Sequence, residues 1–324
     1  MAHAIRIYSA GAPEVMQLEA LDLPPPGPGE VLLEQTAMGV NPLDVNQRKG
    51  LVPIALPSGL GLEGAGIVAA VGTGVSDLKP GDRVGYATGP LGGYASARLF
   101  PADRLVRLPD AVGDDVAASV LFKGITAQYL LKTTAQVKQG SRVLIYGAAG
   151  ALGQLMCAWA THLGAQVLGV VSKPASVERA KAAGCDQVFV FDAQSLPSQV
   201  IQATQGCKVD VVYDSIGKDT FFASLDCLRP RGLMVSLGAT SGQPPAVDPG
   251  VLNAKGSLFL TRPSLAAHTA TIEEYQRRAQ DVLDAIAGGI IQPRVWKSYA
   301  LKDAAAAHAD LEQGRSQGSI ILTP

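Results

Sequence analysis

Seven consecutive residues, Gly147-Ala148-Ala149-Gly150-Ala151-Leu152-Gly153, carry the clearest chemistry in this chain. They follow an apolar run, Arg142 to Tyr146, that reads as a buried strand, and lead into a helical stretch, Ala151 to Leu163. A turn this tight needs glycine, and glycine also lets backbone approach a pyrophosphate. The helix N-terminus then offers unpaired N–H groups and the positive end of its dipole to phosphates. Gly150, Ala151, Leu152 and Gly153 are the expected dinucleotide cradle. In a chain with 36 glycines the pattern alone would mean little. Here strand, loop, helix and the next strand–helix unit are all in register.

About 20 residues beyond such glycines, an acidic residue commonly binds the adenosine ribose of NADH. That position reads Val171-Ser172-Lys173-Pro174-Ala175-Ser176, with no acid. A carboxylate there would repel a 2′-phosphate, whereas Ser172, Lys173 and Ser176 can hydrogen-bond one. The expected cofactor is therefore NADPH.

Other chemistries find little support. Cys157, Cys185, Cys207 and Cys227 form no C-x-x-C pair, which disfavours zinc ribbons and thioredoxin chemistry. His3, His162, His268 and His308 fall outside every motif, so a histidine-centred acid–base mechanism is not expected. No G-x-S-x-G elbow supports a hydrolase. With 27 basic and 28 acidic residues and no basic stripe, nucleic acid is disfavoured as a partner. No apolar run reaches the roughly 20 residues of a membrane helix. Met1 to Ser9 reads as an amphipathic strand, not a signal peptide. The expectation is a reduced, cytoplasmic protein.

The elements that must position these residues change along the chain. At 324 residues with 47% hydrophobic content, two domains are the natural expectation. The first third reads as short strands between Gly/Pro turns, including Val31 to Ala37 and Gly64 to Val71, and suggests a partly closed β-barrel. From about Lys123, strands alternate with helices: Arg142–Tyr146, Gln166–Val171, Gln187–Val190, Val209–Tyr213 and Gly232–Leu237. This is an α/β pattern, a doubly wound parallel sheet. After Pro263 come a helix, Thr271 to Ala287, a strand, Arg294 to Tyr299, a short helix from Lys302 and a last strand, Ser319 to Leu322. The tail looks built to rejoin the first domain. The expected division is 1–122 for the first part of a catalytic domain, 123–262 for the nucleotide domain, and 263–324 for the return.

The chain resembles the medium-chain dehydrogenase/reductase superfamily, specifically its zinc-free quinone oxidoreductase branch, which includes zeta-crystallin. The landmarks are Gly11-Ala12-Pro13-Glu14-Val15, Asn41-Pro42-Leu43-Asp44, Gly59-Leu60-Gly61-Leu62-Glu63-Gly64, Phe122-Lys123-Gly124-Ile125-Thr126, the glycine loop, Val212 to Gly217, Arg231 to Ser236 and Thr261-Arg262-Pro263. The resemblance implies a Rossmann domain inserted into a GroES-like barrel domain, and commonly a homodimer. It also implies cofactor contacts from Asn41, Tyr129, Ser215, Leu237, Gly238, Ser241, Arg262, Pro263 and Ser264, with Asp44 near the nicotinamide. Zinc-dependent relatives carry G-H-E where this chain has Gly61-Leu62-Glu63, and a cysteine ligand near Asn41. Leu62 cannot bind zinc and an Asn amide is a poor substitute for thiolate. Alcohol oxidation would then lack its Lewis acid.

The implied activity is hydride delivery from NADPH to an electron-poor acceptor, catalysed mainly by proximity and orientation. The acceptor would be a quinone; an enone, an enal or an acyl thioester is the alternative, and a cofactor-loaded sensor without turnover is a third reading. Asn41, Asp44 and Asn46 are the polar residues expected to assist. Two departures bear on this. A lysine and a tyrosine that often clamp the 2′-phosphate correspond here to Ser176 and Phe191. Tyrosines expected near the acceptor correspond to Asn46 and Val52, so the acceptor pocket should differ.

Overall fold

The computed structural model describes all 324 residues. The chain opens with β1 (Ala2–Ile7), β2 (Gln17–Leu21), β3 (Glu30–Val40), α1 (Pro42–Arg48), β4 (Ser58–Gly59), β5 (Glu63–Val71), β6 (Arg83–Ala87), β7 (Ala97–Pro101), β8 (Val106–Arg107) and α2 (Asp114–Gln128). Strand–helix alternation follows: β9 (Arg142–Tyr146), α3 (Ala151–His162), β10 (Gln166–Val171), α4 (Val177–Ala182), β11 (Gln187–Val190), α5 (Leu196–Ala203), β12 (Val209–Asp214), α6 (Phe221–Asp226), β13 (Leu228–Ser236), α7 (Pro249–Ala254), β14 (Phe259–Thr261) and α8 (Leu265–His268). The chain closes with α9 (Ile272–Ala287), β15 (Val295–Ala300), α10 (Ala304–Glu312) and β16 (Ser319–Thr323). Two compact units result: Met1–Ile125 with Thr269–Pro324, and Thr126–His268. The sequence had suggested divisions at 122 and 262.

The first unit is built on β3, which pairs antiparallel with β5, β7 and β16. Its outer half alternates: Val31, Leu33 and Gln35 are buried while Glu34 and Thr36 are exposed, the period-two signature of a sheet with one wet face. From Ala37 to Val40 every residue is buried: Met38 and Val40 pack with Ile5 and Ile7 on one face, and Gly39 lies against Ala118 and Glu63 on the other. The tail does rejoin this unit: Ile320 pairs with Val40 and Leu322 with Met38. Ile5, Ile7, Met38, Val40, Leu60, Tyr94 and Leu322 form one core there.

The second unit is a six-stranded, wholly parallel sheet in the order β11-β10-β9-β12-β13-β14. Chain order reverses between β9 and β12, the switch point at which such sheets bind ligands at their carboxyl ends. The central strands are continuously apolar, Val143-Leu144-Ile145 and Val167-Leu168 among them, since helices cover both faces.

One helix escaped the sequence reading. In α2, Ala117, Ala118, Ser119, Val120 and Leu121 are all buried, so no amphipathic period marks it. It continues into a wider π turn, Tyr129–Thr134.

Candidate active site

Each strand of the parallel sheet delivers one predicted cofactor segment at its carboxyl end. β9 runs into the glycine loop, β10 into Ser172-Lys173, β11 into Phe191, β12 into Ser215, β13 into Leu237, Gly238 and Ser241, and β14 into Arg262-Pro263-Ser264. Parallel register therefore gathers residues scattered along the chain onto one edge.

The loop geometry suits a pyrophosphate. Gly147 takes a positive φ of 62°, which only glycine adopts cheaply. Gly150 is the N-cap of α3, and no side chain caps that helix. Ala151, Leu152 and Gly153 occupy its first turn, where backbone N–H groups have no intrahelical acceptor. The first intrahelical bond runs from the Gln154 N–H to the Gly150 carbonyl at 2.9 Å. A Cβ on Gly153 would lie 2.1 Å from the Gly147 oxygen, so this glycine is required for the loop to pack on its helix. A Cβ on Gly150 would meet only that same oxygen, at 3.2 Å. Gly150 is thus a position where a side chain would intrude chiefly on a ligand.

The ribose segment is open. Lys173 is extended and exposed, Ser172 is exposed, and Ser176 is half-buried in the single turn Pro174–Ser176. Phe191 donates its N–H to the Val171 carbonyl at 2.8 Å and is thereby set beside this segment. Its ring, however, packs edge-on against Tyr146, with centroids 5.9 Å apart, and offers no polar group.

The ends of β12 and β13 are tied together. Ser241 Oγ donates to the Ile216 carbonyl (3.0 Å) and accepts the Asp219 N–H (3.1 Å), so its hydroxyl joins two loops. A Cβ on Gly238 would come within 2.3 Å of the Ser215 oxygen. Buried Asp214, noted in the sequence only as part of the Val212 to Gly217 landmark and given no role there, organises this turn by accepting the N–H groups of Ile216 and Gly217 and the hydroxyls of Thr220 and Ser224. Tyr129 is buried at the start of the π turn and stacks on His268, with ring centroids 4.1 Å apart and 8° between planes. His268, which lay outside every motif, is thus Tyr129's ring partner. Arg262 and Ser264 are exposed past β14.

The first unit holds a buried polar cluster around α1. Asn41 and Asp44 form a capping box, with the Asn41 N–H donating to Asp44 Oδ2 at 2.9 Å. The Asn41 amide nitrogen donates to Glu63 Oε2 at 2.8 Å, and Glu63 Oε1 accepts the Phe122 N–H at 2.8 Å. Lys123 Nζ stands 3.6 Å from Glu63 Oε2. A Cβ on Gly39 would fall 2.2 Å from that oxygen, so glycine on β3 makes room for the carboxylate. Tyr94 donates its hydroxyl to Asp44 Oδ2 at 2.8 Å and lies 2.9 Å from His308 Nε2. Gly61, at φ 91°, lies where a Cβ would strike the Tyr94 ring at 2.3 Å. Asn46 is half-buried, and its carbonyl takes the N–H groups of Leu51 and Val52, closing the turn after α1.

Burial dominates the titration of this cluster. It raises the Asp44 carboxyl to about 7, against the hydrogen bonds from Asn41 and Tyr94 that favour the anion. Burial also raises Glu63, with Lys123 and the Asn41 amide pulling the other way. His308 is lowered to about 3, first by burial and then by the Arg48 charge, so its imidazole is neutral near pH 7. Sequence reasoning missed Glu63, Lys123, Tyr94 and His308 as members of the cluster. The available signal was a charge inside each of two apolar runs, Leu62-Glu63-Gly64 and Leu121-Phe122-Lys123.

A GroES-like unit with an inserted dinucleotide-type sheet defines a medium-chain dehydrogenase/reductase. Residues 27–110 match the alcohol dehydrogenase GroES-like domain, and residues 183–322 match the zinc-binding dehydrogenase family. The quinone oxidoreductase of Pseudomonas aeruginosa is 42% identical over the full length of both chains. The crystal structure of the Escherichia coli quinone oxidoreductase complexed with NADPH has a TM-score of 0.95 and 42% identity, covering 99% of this chain and 100% of that one. The 2-haloacrylate reductase of a Burkholderia species is also 42% identical, over 100% of this chain and 99% of its own. The chain belongs to the quinone oxidoreductase family of the medium-chain dehydrogenase/reductases.

Proposed function

We propose that this protein is an NADPH-dependent quinone reductase that works without zinc. The observation that carries the reading is the uncapped N-terminus of α3 behind Gly147–Gly153, on a sheet edge that gathers the predicted cofactor segments other than Asn41 and Tyr129. Similarity over the whole chain to quinone oxidoreductases, one of them solved with NADPH, supports the choice of cofactor and acceptor.

NADPH, when bound, supplies the hydride. Amides of Ala151, Leu152 and Gly153 would hold its pyrophosphate, and Ser172, Lys173 and Ser176 its 2′-phosphate. Phe191 adds only its position beside them. Ser215, Leu237, Gly238 and Arg262 to Ser264 would line the same edge, with Ser241 holding two of those loops in place. Tyr129, fixed by His268, and Asn41 would serve the nicotinamide end. Asp44 and Asn46 would serve the acceptor. Zinc independence is supported by buried Leu62 and by an Asn41 amide already given to Glu63; no three His, Cys, Asp or Glu side chains group as metal ligands. Four free thiols support a reducing, cytoplasmic setting, and no helix is long and apolar enough to cross a membrane.

A second reading, reduction of a haloacrylate or related activated double bond, is supported by the similarity over the whole chain to a 2-haloacrylate reductase. An acceptor panel decides between them. NADPH oxidation should be fastest with a simple benzoquinone, slower with 2-chloroacrylate, and unchanged after dialysis against a strong chelator. The opposite order of acceptors would favour the second reading, and activity restored by added zinc would sink the metal-free one.

A further inference from the structure

The parallel strands of the second unit finish at the cofactor edge, and three of them start at an open cleft of about 460 Å³. That volume falls within the roughly 300–1,000 Å³ of small-molecule sites. The cleft is lined by the segment 134–141, which leaves the π turn and enters β9, by Asp210 on β12, and by Arg229 and Arg231 on β13. All of these belong to the second unit. The five residues of β9 separate the cleft from the glycine loop, by about 17 Å at roughly 3.3 Å per residue.

Charge is unbalanced there. Lys138, Arg229 and Arg231 share the cleft with one carboxylate, Asp210, a net +2 in a chain whose total is −1. Asp210 is already engaged, accepting the Arg229 Nε–H at 2.6 Å and the Arg142 N–H at 2.7 Å. Arg229 is thereby held in the wall, and its Nη1 donates to the Pro230 carbonyl at 2.8 Å. Lys138 and Arg231 are exposed and enter no ion pair.

The backbone is shaped to present these arginines. Pairing of β12 with β13 runs from Val209–Leu228 directly to Val211–Leu233, so Asp210 stands opposite a bulge of four residues, Arg229 to Gly232. Bulges re-aim side chains and concentrate beside functional sites. Arg231 takes a φ of 60°, in the left-handed region that favours glycine, and its N–H is tied to the Gly256 carbonyl at 2.8 Å. A bulge that served the backbone alone would take glycine here. Arginine costs conformational energy and adds only its guanidinium.

We propose that this cleft is a second ligand site, for the phosphate group of a small phosphorylated molecule. The fork of N–H donors on Arg231, the Lys138 ammonium and the remaining N–H groups of Arg229 match phosphate oxygens. A phosphate monoester near pH 7 carries about −1.5 to −2, which the net charge of the cleft balances and a single carboxylate does not. The space exceeds one phosphate, and the amides of Gln136 and Gln139 suit a polar remainder. The inference uses only residues of the cleft and does not rest on the quinone reading.

Pyrophosphate is the probe, titrated calorimetrically into the full chain saturated with NADPH so that the cofactor edge is filled. One equivalent should bind with a Kd of about 1 mM or tighter, the range that two or three charge-assisted contacts reach. Arg231→Gly suits the left-handed backbone, so Tm should hold or rise while pyrophosphate binding weakens at least about fivefold. Lys138→Gln should weaken it similarly, and binding to the unaltered chain should fall as salt rises. Lys173→Ala, at the cofactor edge, should leave this uptake unchanged. In ¹H–¹⁵N NMR, the amides of Gln136, Gly140 and Arg231 should shift during the titration. No uptake at millimolar pyrophosphate would overturn the proposal, as would uptake untouched by both cleft variants or lost in Lys173→Ala. If NADPH itself fails to bind, the cofactor reading falls, and the cleft is still read from Arg231→Gly and the amide shifts.

Discussion

Gly150 and Gly153 are both glycines of one loop, yet their surroundings separate them. At Gly153 any Cβ would be driven into backbone, 2.1 Å from the Gly147 oxygen, so a larger residue there should cost the fold itself. At Gly150 the backbone has nearly room for a side chain. Gly150→Val should therefore stay folded while NADPH affinity drops at least tenfold, about 1.4 kcal/mol, in titration calorimetry. Unchanged affinity in the folded variant would mean that the loop does not cradle phosphate. The sequence alone treated the two positions alike, because spacing reports that glycine is needed and not which neighbour demands it. The same blindness hid His308. Nothing near it in sequence is chemical, and only tertiary packing of α10 against the Tyr94 loop gives it a partner.

At the scale of elements, strands were legible and one helix was not. Arg142–Tyr146, Gln166–Val171 and Gln187–Val190 stand where apolar runs between turns placed them, since buried parallel strands carry a dense local signal. Helix α2 was invisible because it is apolar nearly all round and so lacks the 3.6-residue period. The segment after β10 carries the cofactor preference. Lys173 stands exposed at its start, with Ser172 and Ser176 beside it and no carboxylate between them. A lysine–phosphate contact is charge-assisted and contributes about 1.5–3 kcal/mol, roughly tenfold to over a hundredfold. Lys173→Ala should weaken NADPH binding by that order and hardly alter NADH binding, and the gap should narrow as salt rises. Comparable affinity for both cofactors in the unaltered protein would overturn the preference. A preference that survives Lys173→Ala would shift the assignment to a neighbour such as Arg179.

At the scale of the whole molecule, the sheet of the second unit ends in an uncovered edge. β14 pairs only with β13, and Phe259 and Leu260 on it are 61% and 37% exposed. Such an edge invites pairing with another chain, and a two-fold axis would close it. A homodimer through β14 is therefore expected, with light scattering giving twice the 33.5 kDa chain mass at micromolar concentration. Phe259→Lys should shift it towards the monomer. A monomeric unaltered protein would count against the pairing. The return of the tail to the first domain was legible because the pattern changed after Pro263; β16 on β3 fulfils it. The buried polar cluster could not be read this way, since it joins α1, the Tyr94 loop and α10, far apart in the chain.

If NADPH held on the second unit reduces a quinone, single-turnover rapid mixing shows it: NADPH-loaded protein meets a benzoquinone and the nicotinamide absorbance is followed in time. The absorbance should decay at a rate no slower than steady-state kcat, with one hydroquinone formed per NADPH consumed. NADPH that stays bound and reduced throughout, with every quinone of the panel left intact, would contradict it.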